Sequence, residues 1–175
     1  MKKDFIAPIL VMSLICLVMT GILAIVNNIT EPIIEAAGRE RADEAMIALI
    51  PDADSFIPIS YPKSAHFPSA VREAYQAANG AGYIFIVSTN GFGGEKRIMV
   101  GLCDMGYFNG STVLSHNETI SFANRVFEVR DYLETQGKSL LDIDTISGAT
   151  QTLDAYQQAI EYVYIALETL EEGVQ

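Results

Sequence analysis

One short stretch gathers the residues that could do chemistry: Asp144-Thr145-Ile146-Ser147-Gly148-Ala149-Thr150. It sets hydroxyls beside a glycine and an alanine, just before a long helical pattern. Small residues let a bulky group approach the backbone. The amides and positive dipole end of a helix start form a natural seat for phosphate. The Thr150 hydroxyl lies beside that seat, so the stretch is suited to carrying a phosphate-containing group on Thr150. The same residues also suit an ordinary capped helix start with no ligand.

Nothing else offers a reactive set. His66 and His116 are isolated, and Cys16 and Cys103 fall in segments that cannot plausibly meet. No disulfide framework and no metal-ligand cluster follow from this spacing. No residue reads as a catalytic acid, base or nucleophile for substrate turnover.

The elements that must position Thr150 can be read in order. Leu153, Tyr156, Ile160, Val163, Leu167 and Leu170 recur every three or four positions after it, which predicts a long amphipathic helix against a core. Upstream, Gly82–Ser88 and Arg97–Asp104 read as strands around the turn cluster Asn90–Gly94. The second of these is apolar almost throughout, which predicts cover on both faces. Ser111–Ser115 reads as a third strand, Leu140–Ile146 as a short strand or extended approach, and residues 120–136 as a helix closed by Gly137. Residues 68–78 are predicted as a further helix with Asn79-Gly80 as its C-cap. A short extended piece is expected around Phe56–Ile59.

The N-terminal part is different. Residues 5–26 carry no charged side chain. As a helix they span roughly 33 Å, enough to cross a bilayer. The run is too long for a signal peptide and has no clear cleavage site. Lys2 and Lys3 precede it, which places the N-terminus in the cytoplasm and the rest outside. Ser13, Cys16, Thr20 and Ala24 share one helix face, a pattern that admits a close helix neighbour in a membrane. Residues 31–50 are predicted as a separate stalk helix, capped by Thr30 with Pro32 in its first turn.

The predicted organisation is a cytoplasmic N-terminus (1–4), a transmembrane anchor (5–26), a stalk helix and loop (27–67) and a folded domain (68–175). The fold class is α+β: a small antiparallel sheet packed with helices, after one N-terminal transmembrane helix. With 22 acidic against 11 basic residues the net charge is −11. That argues against nucleic acid and against adhesion to anionic lipid.

Residues 144–150 resemble the flavinylation motif D-x-x-S/T-G-A-S/T. The motif belongs to the FMN-binding domains of two redox-complex subunits: the G subunit of the Rnf complex and the C subunit of the sodium-pumping NADH:quinone oxidoreductase. Gly91-Phe92-Gly93-Gly94, Ile98–Gly101 and Val113–Thr119 resemble the same domain in the same order. Asn27–Pro32 after the anchor resembles the start of the Rnf protein. The family commonly follows Glu-Thr with Pro-Gly-Leu-Gly, where this chain has Ile120-Ser121-Phe122-Ala123. It often has Thr-Ser after the motif, where this chain has Thr152-Leu153.

The resemblance implies that Thr150 is esterified to the FMN phosphate by a flavin transferase. That enzyme uses FAD as donor and releases AMP. Asp144, Gly148 and Ala149 would be part of what the transferase recognises. Ser147, Gly148, Ala149, Glu118 and Thr119 would contact the cofactor. The implied function is electron carriage by covalent FMN in an ion-translocating complex at the bacterial cell membrane. Its implied partners are other membrane subunits, the transferase and the lipid bilayer. It would be an electron-transfer subunit rather than an independent catalyst. Two alternatives are a stand-alone extracytoplasmic flavoprotein feeding a reductase and a non-redox anchored binding module.

Overall fold

The structure, a computed structural model, describes residues 2–60, 67–118, 120–134 and 138–172. Its contacts divide the chain into Met1–Arg41 and Ala42–Gln175.

Helix α1 runs from Lys2 to Leu49 without interruption. This corrects the expectation of a separate helix capped by Thr30. Pro32 removes one amide from the ladder, but no glycine lies between Gly21 and Gly38 to release the chain. The helix continues through it. Among the described residues this is the one helix long and apolar enough to cross a membrane, with a mean hydropathy of 2.9 over its most apolar 18-residue window.

The second unit is built on a five-stranded antiparallel meander in the order β1-β2-β3-β4-β5. The strands are β1 (Phe56–Pro58), β2 (Val71–Ala77), β3 (Gly82–Gly91), β4 (Gly94–Cys103) and β5 (Phe108–His116). Strand β2 replaces the helix expected over residues 68–78. The apolar spacing that suggested a helix comes from a bulge between Val71 and Glu73, which shifts the alternation by one residue. Asn79-Gly80 is the hairpin turn between β2 and β3, with the Asn79 carboxamide oxygen accepting from the Ala81 amide.

Side-chain alternation sorts β3 and β4 onto two cores. Phe85, Val87, Ile98, Val100 and Leu102 face one side. Ile84, Ile86 and Met99 face the other. The expected cover on both faces is present. Helices α2 (Ile120–Glu134) and α3 (Thr150–Glu172) contribute to the first core. Leu153, Tyr156, Ile160 and Val163 of α3 are fully enclosed. Each such side chain is worth about 1.5–3 kcal/mol in transfer free energy.

The last turns of α1 cover the second face. Met46 and Ile50 are buried against Ile84, Ile86 and Met99. Two strand glycines make the seat: a Cβ at Gly101 would lie 3.1 Å from Leu49 Cβ, and one at Gly110 3.1 Å from Leu49 Cδ2. The Asn109 carboxamide donates to the Leu49 carbonyl. The compact unit therefore includes residues 42–60, which the sequence suggested were stalk and loop.

Between α2 and α3, where a short strand or extended approach is expected over Leu140–Ile146, Leu140–Asp142 form a 3-10 turn capped by Ser139, and Ile143 after it is extended. The Ser139 hydroxyl accepts from the Leu141 amide, and Asp142 accepts from the Ser139 amide. This local capping box satisfies the backbone without a strand partner. Gly137 lies outside the described residues.

Candidate functional site

Helix α3 starts where the sequence pattern placed it. Ala149 is its cap residue, because its carbonyl accepts the Leu153 amide at 2.9 Å. Alanine has no side-chain oxygen to offer the first amides of the helix. The N-terminus thus lacks a hydroxyl or carboxylate cap from its own cap residue and keeps its affinity for an anion.

The preceding residues form a tight turn closed by the Ala149 amide donating to the Ile146 carbonyl. Gly148 occupies its third position at φ 76°. A type II turn requires that sign there, and only glycine adopts it without strain. A Cβ at Gly148 would also come within 2.9 Å of Arg125 Nη1. That guanidinium, reaching across from α2, donates to the Ser147 carbonyl at 2.9 Å. The turn is therefore pinned by Arg125 and faces outward, with Ser147, Gly148 and Thr150 exposed and Ala149 buried.

The Thr150 hydroxyl is weakly engaged. It lies 3.5 Å from the Ile146 carbonyl and 3.4 Å from the Thr145 hydroxyl. Both separations are beyond ordinary hydrogen-bond length. Beside it opens a cavity of about 250 Å³ lined by Phe92, Gly148, Ala149, Thr150, Gln151 and Thr152. Phe92 comes from the two-residue loop between β3 and β4, and the other residues from the turn and first turn of α3.

Behind this cleft sits a buried ion pair. Lys96 Nζ lies 3.1 Å from Glu118 Oε1, and both side chains are 1% exposed. The ammonium also donates to the Thr152 carbonyl at 3.2 Å. Burial pulls the Lys96 ammonium below its usual range, with Glu118 opposing. Burial acts to raise the Glu118 carboxyl, but Lys96, the Gly93 amide and the Thr152 hydroxyl together hold it below the usual carboxylate range. Two glycines admit this pair. A Cβ at Gly91 would collide with Lys96 Nζ and Glu118 Oε1, and one at Gly93 with the Asn117 carbonyl.

A second buried network supports the helix pair. Burial pushes the Tyr156 phenol up to about 12, against the opposing Arg130. Arg130 donates to the Tyr156 hydroxyl at 3.1 Å. Burial also raises the Glu134 carboxyl, which accepts from the amide and hydroxyl of Ser111.

The structure brings Gly148, Ala149 and Thr150 together at the cleft, and Ser147 precedes them in the same exposed turn, outside the lining. Asp144 is exposed just upstream on the same segment. Glu118 lies behind the cleft, engaged with Lys96. Thr119 lies outside the described residues. Sequence reasoning missed Phe92, Lys96, Arg125 and Thr152 as parts of this region. Only the glycine block around Phe92 signalled it, since glycines at such density mark a close approach.

Comparison with known proteins bears out the expected resemblance. Residues 91–164 match the family described as the FMN-binding domain. This span begins at the hairpin and ends within α3, so it contains both walls of the cleft. Two proteins from two strains of Pseudomonas aeruginosa, each named as the G subunit of an ion-translocating oxidoreductase complex, are 29% identical to this chain over 136 residues. The match covers 71% of this chain and 63% of theirs, so the chain spans less than two thirds of the length of the curated relatives it matches.

Proposed function

We propose that this chain, whose residues 91–164 match the FMN-binding domain, is a membrane-anchored electron carrier with FMN held covalently on Thr150. The observation that carries the proposal is the exposed Thr150 hydroxyl at the first position of α3, opening into a cleft inside the matched segment. The residues fit the group. The uncapped helix start and Arg125 favour a phosphodiester's negative charge. Gly148 keeps the backbone low, and the cleft offers an apolar wall at Phe92.

Attachment is a phosphoryl transfer. The Thr150 hydroxyl would be the acceptor, forming a P–O ester with the FMN-side phosphorus of FAD as the pyrophosphate bond to AMP breaks, its proton going to a base of the transferase. Such an enzyme would read exposed Asp144 and the following turn, where Gly148 is exposed and Ala149 is buried beneath it. Once bound, FMN supplies one- and two-electron redox chemistry. The protein's own part is to hold the phosphate at the helix start, keep the tether short and shelter one side of the ring. Ser147 is the proposed neighbour of the phosphate.

The length and apolar composition of α1 support the reading of an anchor. Assembly with other membrane subunits follows the relatives' name as part of a complex. The face with Ser13, Cys16 and Ala24 suits close helix contact. Thr20 on that face donates to the Cys16 carbonyl of its own helix at 2.7 Å. With Lys2 and Lys3 on the cytoplasmic side, the FMN domain lies outside the bacterial cell membrane.

The test is flavin fluorescence of the denatured chain in a gel, after expression with a flavin transferase. The wild-type chain gives a fluorescent band, Thr150→Ser keeps a hydroxyl substrate, and Thr150→Ala gives none. A band that persists in Thr150→Ala overturns the assignment. Co-purification with multi-span subunits separates a complex from a stand-alone carrier.

A further inference from the structure

We propose that Phe92 is the ring-contact residue of this site: its side chain is the apolar wall on which the isoalloxazine of the Thr150-linked flavin lies. The inference rests on Thr150 as the attachment residue and assigns a role to a residue in the opposite wall.

Phe92 is 67% exposed although it is large and apolar. It stands at the tip of β3 and β4, where Gly91 pairs with Gly94 and leaves Phe92-Gly93 as the loop. It lines the cavity whose other wall is Gly148–Thr152. A flavin tethered at Thr150 has its charged phosphate at the helix start, and its tricyclic ring is its large apolar part. Among the described residues that line the cleft, Phe92 is the aromatic one, and planar aromatic groups favour offset stacking or edge contact with one another.

The tip is also held in place. Gly93 packs on the Asn117 carbonyl, and Gly91 packs on the Lys96–Glu118 pair. Lys96 belongs to the same hairpin and donates to the Thr152 carbonyl of α3. One buried cation thus fixes the distance between the hairpin bearing Phe92 and the helix turn bearing Thr150. Lys96 is a positioning residue in this arrangement. Glu118, engaged with Lys96 and almost fully enclosed, acts from behind the wall rather than on the ring.

Phe92→Trp and Phe92→Leu in the full chain, expressed with the flavin transferase, test this. Tryptophan is an electron donor that quenches flavin emission on contact, whereas leucine is not. All three chains are expected to give equal fluorescent bands when denatured. Native emission per flavin of Phe92→Trp is expected to fall at least about twofold below wild type and to recover on denaturation, as contact between aromatic faces requires. Iodide quenching of the native flavin is expected to rise in Phe92→Leu. Native emission in Phe92→Trp equal to wild type overturns the inference. Loss of the denatured band in Phe92→Trp alone also overturns it, because Phe92 would then serve the transferase. No band in the wild-type chain overturns the proposed function itself.

Discussion

Lys96 and Glu118 meet at 3.1 Å in a site where each side chain is 1% exposed. They join three segments far apart in sequence: the β3–β4 hairpin, the end of β5 and the first turn of α3. Removing one partner strands the other charge in a dry place. Lys96→Met is therefore expected to destabilise the domain by about 3–5 kcal/mol. Lys96→Met/Glu118→Met is expected to recover most of that loss, since no charge is left unpaired. Urea unfolding of the three chains measures both. Equal stability of the single and double variants would contradict the pairing.

The same pair gives a pH dependence with a definite sign. The Glu118 carboxyl is held below its ordinary value of 4.5. The unfolded chain then binds more protons in the window below 4.5, so the folded state loses stability as pH falls through that window. The contribution is fully present at neutral pH. Acid unfolding of the Lys96→Met/Glu118→Met chain is expected to show a shallower pH slope below 4.5 than wild type. Parallel slopes would remove Glu118 from the acid response.

Gly148→Ala meets two obstacles. The backbone holds φ at 76°, and the new methyl would press on Arg125 Nη1 at 2.9 Å. The backbone strain alone costs about 1–2 kcal/mol. Adding Arg125→Ala is expected to relieve the contact and leave the strain, so the double variant stays below wild type in melting temperature. A double variant that melts with wild type would show that the turn tolerates a side chain.

The Leu49 seat predicts a defect on the other face. A methyl at Gly101 or Gly110 would stand 3.1 Å from Leu49. Overpacking of this kind costs about 1–3 kcal/mol. Gly101→Ala is expected to lower the melting temperature, and Gly101→Ala/Leu49→Ala to lose less than the two single changes added together. Additive losses would place Leu49 elsewhere.

Much of this was legible in the residues. The period of α3 was plain because one face of a long helix must be apolar to pack on the sheet. The two-faced burial of β4 followed from its unbroken apolar run. Strand β2 reads as a helix in sequence because its bulge gives Val71, Ala74 and Tyr75 helical spacing, and only pairing with β3 decides between them. The break expected ahead of a helix capped by Thr30 is absent, because the one amide missing at Pro32 is a small loss in a long helix. At the site, the attachment turn was visible as a run of small and hydroxyl residues. Lys96 was hidden, because a lysine in a charged, glycine-rich hairpin reads as solvated until folding turns it inward. Arg125 was hidden likewise, since its contact with Ser147 spans two elements whose meeting no local pattern records.

The hydrogen bond from Lys96 to Thr152 closes a loop of 56 residues. The strands of the meander each pair with their sequence neighbour, so the sheet can assemble by local steps. The cleft cannot. Non-local closure is slow relative to local pairing, and here it waits on the docking of α3. The attachment turn acquires its final shape only when α3 has packed on the sheet. Under the proposed function, a transferase that reads that shape would load only chains whose α3 has docked, leaving unfolded ones unmarked.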